Sequence, residues 1–425
     1  MNQTIYDAFN ETKYTFKIND RLKCIIILKP HFHKTFVTLS TPIGSIHRAY
    51  KEHGNIKEVP AGIAHFLEHK IFEQEGEDIS RLFSLYEADI NAYTEHNRTT
   101  YLFSATNHLI PNIKRLLSMF FFPKFTHEGV DKEKNIITEE LNMHLDNPYH
   151  LQFQRLLKNM FFHPYFYDDI LGTKESIEAI TLDDLKAMHE AYYAPEESVL
   201  TIIGDVSPDE IKNALTDTVL PEKTTKSIID LTGLEPNHVV VHEDSITLDI
   251  LKPSVLVGIK VMQDTLTSEE RLKQSLLLSL MVDLLIGNSS TLYENWLESK
   301  LVNDSYGIEV YLEKEYGYIL IGSETEVPEA LTKTLKTVLT SLSQYTIDET
   351  MFERAKKQMI GNFVMSLDNL DYLAHENNKH THEGLDIYET LNKASLITLK
   401  DLNNFKHDID PLSMSILRVE PLKKA

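Results

Sequence analysis

The chain has 425 residues, with 42 basic and 64 acidic side chains giving a formal net charge of −22. That length exceeds one ordinary core and predicts two domains, while an apolar content of 42% with 15 Gly and 15 Pro excludes a disordered or collagen-like chain. The acidic balance argues against a nucleic-acid or anionic-membrane partner, and the single cysteine, Cys24, leaves no intrachain disulfide to form.

Residues 1–10 lack the charged and then apolar segments of a secretion signal. Runs rich in β-branched and aromatic residues at 14–18, 24–28 and 35–40 predict strands, with Cys24 as core filler in the second. A helix is expected over 65–72. There His65 and His69 stand at i and i+4 on one face with Glu68 beside them at i+3. This is the H-x-x-E-H spacing, the inverse of a zinc-peptidase signature. Imidazole suits zinc, and a carboxylate held near the ion but off it can take a proton from metal-bound water.

Further helices are expected over 79–86 and 110–120, and residues 93–105 read as two strands with Asn97-Arg98 at the turn. Residues 129–145 predict another helix, with Val130, Ile136, Ile137, Leu141 and Leu145 as its buried stripe. On it Glu133 and Glu140 lie two turns apart on one face, and Glu139 points about 100° away. A catalytic zinc takes three protein ligands. Glu140 is the expected third, Glu133 a carboxylate behind an imidazole, and His144, one turn on, a rival donor. The pairs His31/His33 and His380/His382 read as surface histidines, because neither has a full ligand set near it in sequence.

A polar stretch at 221–227 reads as a linker, dividing the chain into domains at 1–225 and 226–425. Ile180-Thr-Leu182-Asp-Asp184-Leu185 returns as Ile397-Thr-Leu399-Lys-Asp401-Leu402, and Leu145-Asp-Asn147 returns as Leu367-Asp-Asn369, which places Asn362 where Glu140 stands. The expected fold is α+β, with two homologous domains, each a mainly antiparallel sheet with helices on one face. The apolar run 275–286 is too short to span a bilayer and is interrupted by Asp283, so it reads as a core helix of a cytoplasmic protein with no membrane partner.

Gly62-Ile-Ala-His65-Phe-Leu-Glu68-His69-Lys-Ile-Phe72, then Asn91-Ala92-Tyr93-Thr94 with Thr100-Tyr101, then Glu133 and Glu140, resemble in order and spacing the N-terminal domain of the pitrilysin/insulinase-like inverzincin metallopeptidases, a family that includes the mitochondrial processing peptidases. The resemblance covers about the first 220 residues well and the rest more weakly. It implies that His65, His69 and Glu140 bind one Zn2+ per chain, that Glu68 is the general base, and that Glu133 supports the site. It assigns Asn91, Ala92 and Tyr93 to an edge strand that pairs with substrate. The implied activity is a zinc-dependent endopeptidase acting on peptides or unfolded segments. The alternative is a non-catalytic or partner-dependent structural subunit.

In that family the domains are paired repeats of which one carries metal, so two domains form half of a clamshell chamber. The other half implies a homodimer, or a heterodimer with a related chain that lacks the motif. Family members also present an Arg and a Tyr to the substrate. The corresponding stretch here has Lys300 and Tyr306 but no Arg, and Lys replaces a planar guanidinium poorly. A partner chain supplying both residues is therefore expected.

Overall fold

The β-branched and aromatic side chains of the opening runs favour extended backbone, and in the run at 24–28 nearly every residue is buried. The structure, a computed structural model, describes residues 1–74, 77–263, 265–407 and 409–422. They group into two compact units interleaved in sequence: residues 1–142, 168–230 and 364–388 form the first, and 143–167, 231–363 and 389 onward the second. A single cut at residue 225 does not separate them. The stretch expected as a linker ends in a two-residue strand, Lys226–Ser227, paired with Ala49–Glu52 of the first unit.

The strands of the first unit's main sheet are β1 (Asn2–Tyr6), β2 (Glu11–Ile18), β3 (Leu22–Leu28), β4 (Thr35–Thr41), β5 (Ala88–Thr94), β6 (Thr99–Ala105) and β7 (Val199–Gly204). Their order is β1-β2-β3-β7-β4-β6-β5. All pairs are antiparallel except β7 on β3. On one face Val37, Leu39, Leu200 and Ile202 join a core with residues of α1 (Ile63–Phe72), α2 (Leu109–Phe121), α3 (His127–Leu145) and, further on, Leu182–Tyr192. Val130, Ile137 and Leu141 of α3 are buried there. Ile136 and Leu145, expected in the same stripe, are 42% and 49% exposed. Ile136 sits one residue, about 100°, off the stripe, and Leu145 closes the helix.

The opposite face of this sheet is buried too, under the helix Leu370–His382. Thr38, Ser40 and Thr201 point that way, so the contact is polar. Asn378 Nδ2 donates to Thr38 Oγ1 at 2.9 Å, Thr201 Oγ1 donates to Asn378 Oδ1 at 2.7 Å, and His382 Nε2 lies 2.9 Å from Ser40 Oγ. His380 and His382 are thus not surface residues. His380 is buried with Nδ1 2.8 Å from Glu376 O, and burial holds the His382 pKa down at about 3. His31 and His33 are exposed.

The second unit repeats the plan with β8 (Glu243–Leu248), β9 (Ser254–Lys260), β10 (Gly307–Leu312), β11 (Gly317–Glu324) and β12 (Met414–Pro421), in the order β8-β12-β9-β11-β10. Again one pair is parallel, β8 with β12. Its sheet packs against the helix Pro148–Met160, where Gly258 leaves room for Met160: a Cβ at that position would lie 2.2 Å from the sulfur. The run 275–286 lies in the helix Ser268–Ile286 and is largely buried in this unit's core. No single helix among the described residues is long and apolar enough to cross a membrane.

Candidate metal and peptidase site

Helix α1 starts at Gly62, whose φ of 84° is in the left-handed region and whose absent Cβ would stand 2.2 Å from Leu171 O. The first helical bond, Phe66 N to Gly62 O at 2.9 Å, closes from that residue. Ile63, Ala64, Phe66, Leu67 and Ile71 are all buried, and the larger of these contribute roughly 1.5–3 kcal/mol each. Their anchoring fixes the helix rotation. That rotation turns His65 and His69 toward α3 and Glu68 toward the end of the strand Ala88–Thr94.

Three donor atoms converge: His65 Nε2 and His69 Nε2 lie 3.7 and 3.6 Å from Glu140 Oε2, and the set fits within 4.8 Å. Donors on a tetrahedral zinc at ~2.0–2.1 Å stand about 3.3–3.4 Å apart, so the spacing and the N,N,O chemistry fit that ion. Glu133, buried on the same face of α3, accepts from His69 Nδ1 at 2.9 Å. That bond places the ring proton on Nδ1 and leaves the Nε2 lone pair for a metal. Glu139 is exposed. The rival donor His144 faces the His150 ring, with centroids 4.9 Å apart, and is not one of the three.

Burial works against protonation of His69, but the hydrogen bond and charge of Glu133, with Glu68 and Glu140 behind it, outweigh burial and hold its pKa above the ordinary imidazole value. The Glu68 carboxyl is raised, first by burial and further by Glu140; the Thr94 hydroxyl and His69 oppose the shift. A raised carboxylate is the better proton acceptor near neutral pH. Lys70, 1% exposed, has its pKa lowered by burial, with the Glu133 carboxylate pulling the other way.

Asn91, Ala92 and Tyr93 lie on β5, the edge strand, which among the described residues pairs only with β6, in registers Leu102↔Asn91, Tyr101↔Ala92 and Thr100↔Tyr93. Ala92 N–H is taken by the Asn91 side chain at 2.9 Å. Side chains alternate across the strand. Ala92 packs on the core beside α1, while the Tyr93 hydroxyl lies 3.0 Å from His375 Nδ1 on the helix Leu370–His382. Burial pushes the Tyr93 phenol up to about 12. In the second unit Lys300 is exposed, whereas Tyr306 is buried and its hydroxyl donates to Ile286 O at 2.8 Å. Tyr306 is a core residue, with its hydroxyl already used.

Sequence reasoning gave no role to Thr94, Lys70 or His375. Thr94 stood inside the run that carries the family resemblance, but a threonine in a strand is ordinary and gave no signal of its own. His375 had none, being 282 residues from Tyr93.

Residues 50–174 match the Insulinase (Peptidase family M16) description, and residues 179–359 match the Peptidase M16 inactive domain. A protein of Bacillus subtilis (strain 168), called uncharacterized zinc protease YmfH, is 31% identical over 98% of each chain. The chain belongs to the M16 peptidase family. Among solved M16 structures, the M16-like peptidase from Alicyclobacillus acidocaldarius superposes with a TM-score of 0.90 at 29% identity, covering 96% of this chain and 98% of the other. A protease from Helicobacter pylori shares the fold at 16% identity with a TM-score of 0.77, covering 96% and 99%.

Proposed function

We propose that this M16 chain is a zinc-dependent endopeptidase acting on peptides or unfolded polypeptide segments. The observation that carries the reading is one constellation: His65, His69 and Glu140 within 4.8 Å of one another, with Glu68 between the histidines in sequence and hydrogen-bonded to the end of an open sheet edge. His65, His69 and Glu140 would hold a zinc ion, which when bound would supply Lewis acidity toward water and an amide carbonyl. Glu68 accepts one proton of the attacking water on the oxygen that Thr94 leaves open, then returns it to the leaving nitrogen, and the second proton of that water passes to the amine as well, so one peptide bond and one water become a carboxylate and an ammonium. An extended substrate adds as a strand to β5. For this, Asn91 must release the Ala92 N–H that it covers.

Stoichiometric zinc in the purified protein, hydrolysis of an unfolded polypeptide, and loss of that hydrolysis in Glu68→Gln are the expected results. A protein that folds with no zinc under non-stripping conditions contradicts the reading and leaves the non-catalytic subunit. Buried Tyr306 and the absence of Arg beside Lys300 favour a partner-dependent form. Under that form a second chain completes the chamber, either another copy of this one or a motif-less relative, and only the relative supplies Arg and Tyr. Native mass measurement showing a dimer, with a large gain in activity on mixing with such a relative, is the expected outcome. Full activity in a monomer opposes it. The place of action in this proposal is the cytoplasm, a reading supported by the lone buried Cys24.

A further inference from the structure

Thr94 is the last residue of the edge strand β5 and lies on the side of it that faces α1. Its hydroxyl donates to Glu68 Oε2 at 2.6 Å. Across the ladder, its register partner Thr99 has Oγ1 3.4 Å away, and the Thr99 hydroxyl donates to Ile43 O at 2.8 Å. With the Thr99 proton committed to a main-chain oxygen, the Thr94 proton has Glu68 as its acceptor. A glutamate needs such a fix. The last torsion of its side chain is broad and two-fold, so a place on α1 aims the carboxylate only coarsely.

We infer that Thr94 is a positioning residue for peptide hydrolysis, tying the Glu68 carboxylate to the strand that pairs with the substrate backbone. The inference rests on the endopeptidase reading above. Its physical content is a shared register. The residue whose main chain ends the substrate-pairing edge also holds one oxygen of the base, so a peptide docked on β5 presents its scissile bond at a set distance from the other oxygen. A one-residue slip of the docked strand would turn its side chains over and move the bond by about 3.3 Å, and misplacement near 1 Å already costs on the order of 10²-fold in rate. Tyr93, the preceding residue, faces away toward His375 and cannot take this role.

Thr94→Val keeps the β-branched shape and removes the donor, whereas Thr94→Ser keeps the donor. In the zinc-loaded protein, Thr94→Val is expected to lower kcat by about 10- to 100-fold, with KM and zinc content unchanged, and Thr94→Ser to stay within about threefold of wild type. A second readout needs no turnover. In metal-free protein labelled with 13C-glutamate, the infrared carboxylate band that disappears in Glu68→Gln is expected to shift in Thr94→Val and to stay in place in Thr94→Ser. An unchanged kcat or an unshifted band in Thr94→Val overturns the inference, as does an equal loss in both variants. A wild-type protein that binds zinc yet hydrolyses no peptide, alone or mixed with a motif-less relative, overturns the endopeptidase reading itself. An active wild type with an insensitive Thr94→Val overturns only this step.

Discussion

The two units share one plan and differ in what they carry. Each sheet has one parallel pair, β7 on β3 or β8 on β12. Thr181 and Asp184 form a capping box before β7, and Thr398 with Asp401 forms the same box before β12. Asn147 and Asn369 cap corresponding helices through the same side-chain oxygen. Yet the spacing that aligns those two asparagines puts Ala355 and Asn362 of the helix Glu349–Ser366 where Glu133 and Glu140 stand on α3. Ladders, caps and apolar stripes specify the fold in both units, and the chemistry is a sparse addition to one. Two helix positions and an H-x-x-E-H turn make the difference.

The comparison breaks most directly at the ligands. His65→Ala or Glu140→Gln is expected to abolish stoichiometric zinc and peptide hydrolysis together, whereas Asn362→Glu in the second unit is expected to gain no zinc because the sequence carries H-x-x-E-H only at 65–69; metal analysis of the three proteins decides the matter. A second zinc in Asn362→Glu would mean the units are closer in chemistry than their sequences. Glu133→Gln removes the carboxylate behind His69 and should weaken zinc binding by about 10–100-fold, read by competition with a chelator. An unchanged affinity would make Glu133 a bystander.

A smaller effect appears with pH in the metal-free protein. The folded pKa of His69 is raised, since Glu133 favours the imidazolium despite burial. Its contribution to stability is therefore full below the unfolded value of about 6.5 and is lost as pH rises through the raised folded value. Denaturant midpoints should fall across that window, and Glu133→Gln should flatten the change; a midpoint that rises there contradicts the assignment. Smallest are the caps. Asn147→Ala and Asn369→Ala should each cost about 1 kcal/mol in urea unfolding, and a large inequality would show that the repeats are not equivalent at that position.

Much of this was legible from residue order. β-branched runs became β2, β3 and β4, and the helical spacing of His65, His69, Glu133 and Glu140 brought those side chains together because helix geometry is local and each helix has a strong apolar stripe. What sequence could not supply was long-range and polar. The helix Leu370–His382 covers the first sheet through Asn377, Asn378 and His382 bonded to Thr201, Thr38 and Ser40. Hydrogen bonding of this kind leaves no hydrophobic period to read, so His380 and His382 look like surface residues and the domain boundary looks like a single cut. Thr94 was hidden for another reason: a threonine in a strand is ordinary, and only its 2.6 Å approach to Glu68 separates it from the rest.

The central claim is that one unit holds a working zinc site with Glu68 as its base. Zinc content and hydrolysis of an unfolded polypeptide, measured on the same samples of wild type and Glu68→Gln, test it most directly. The account predicts one zinc per chain in both proteins and a loss of about 10²–10⁴-fold in turnover for the variant. Equal turnover in the two would contradict it.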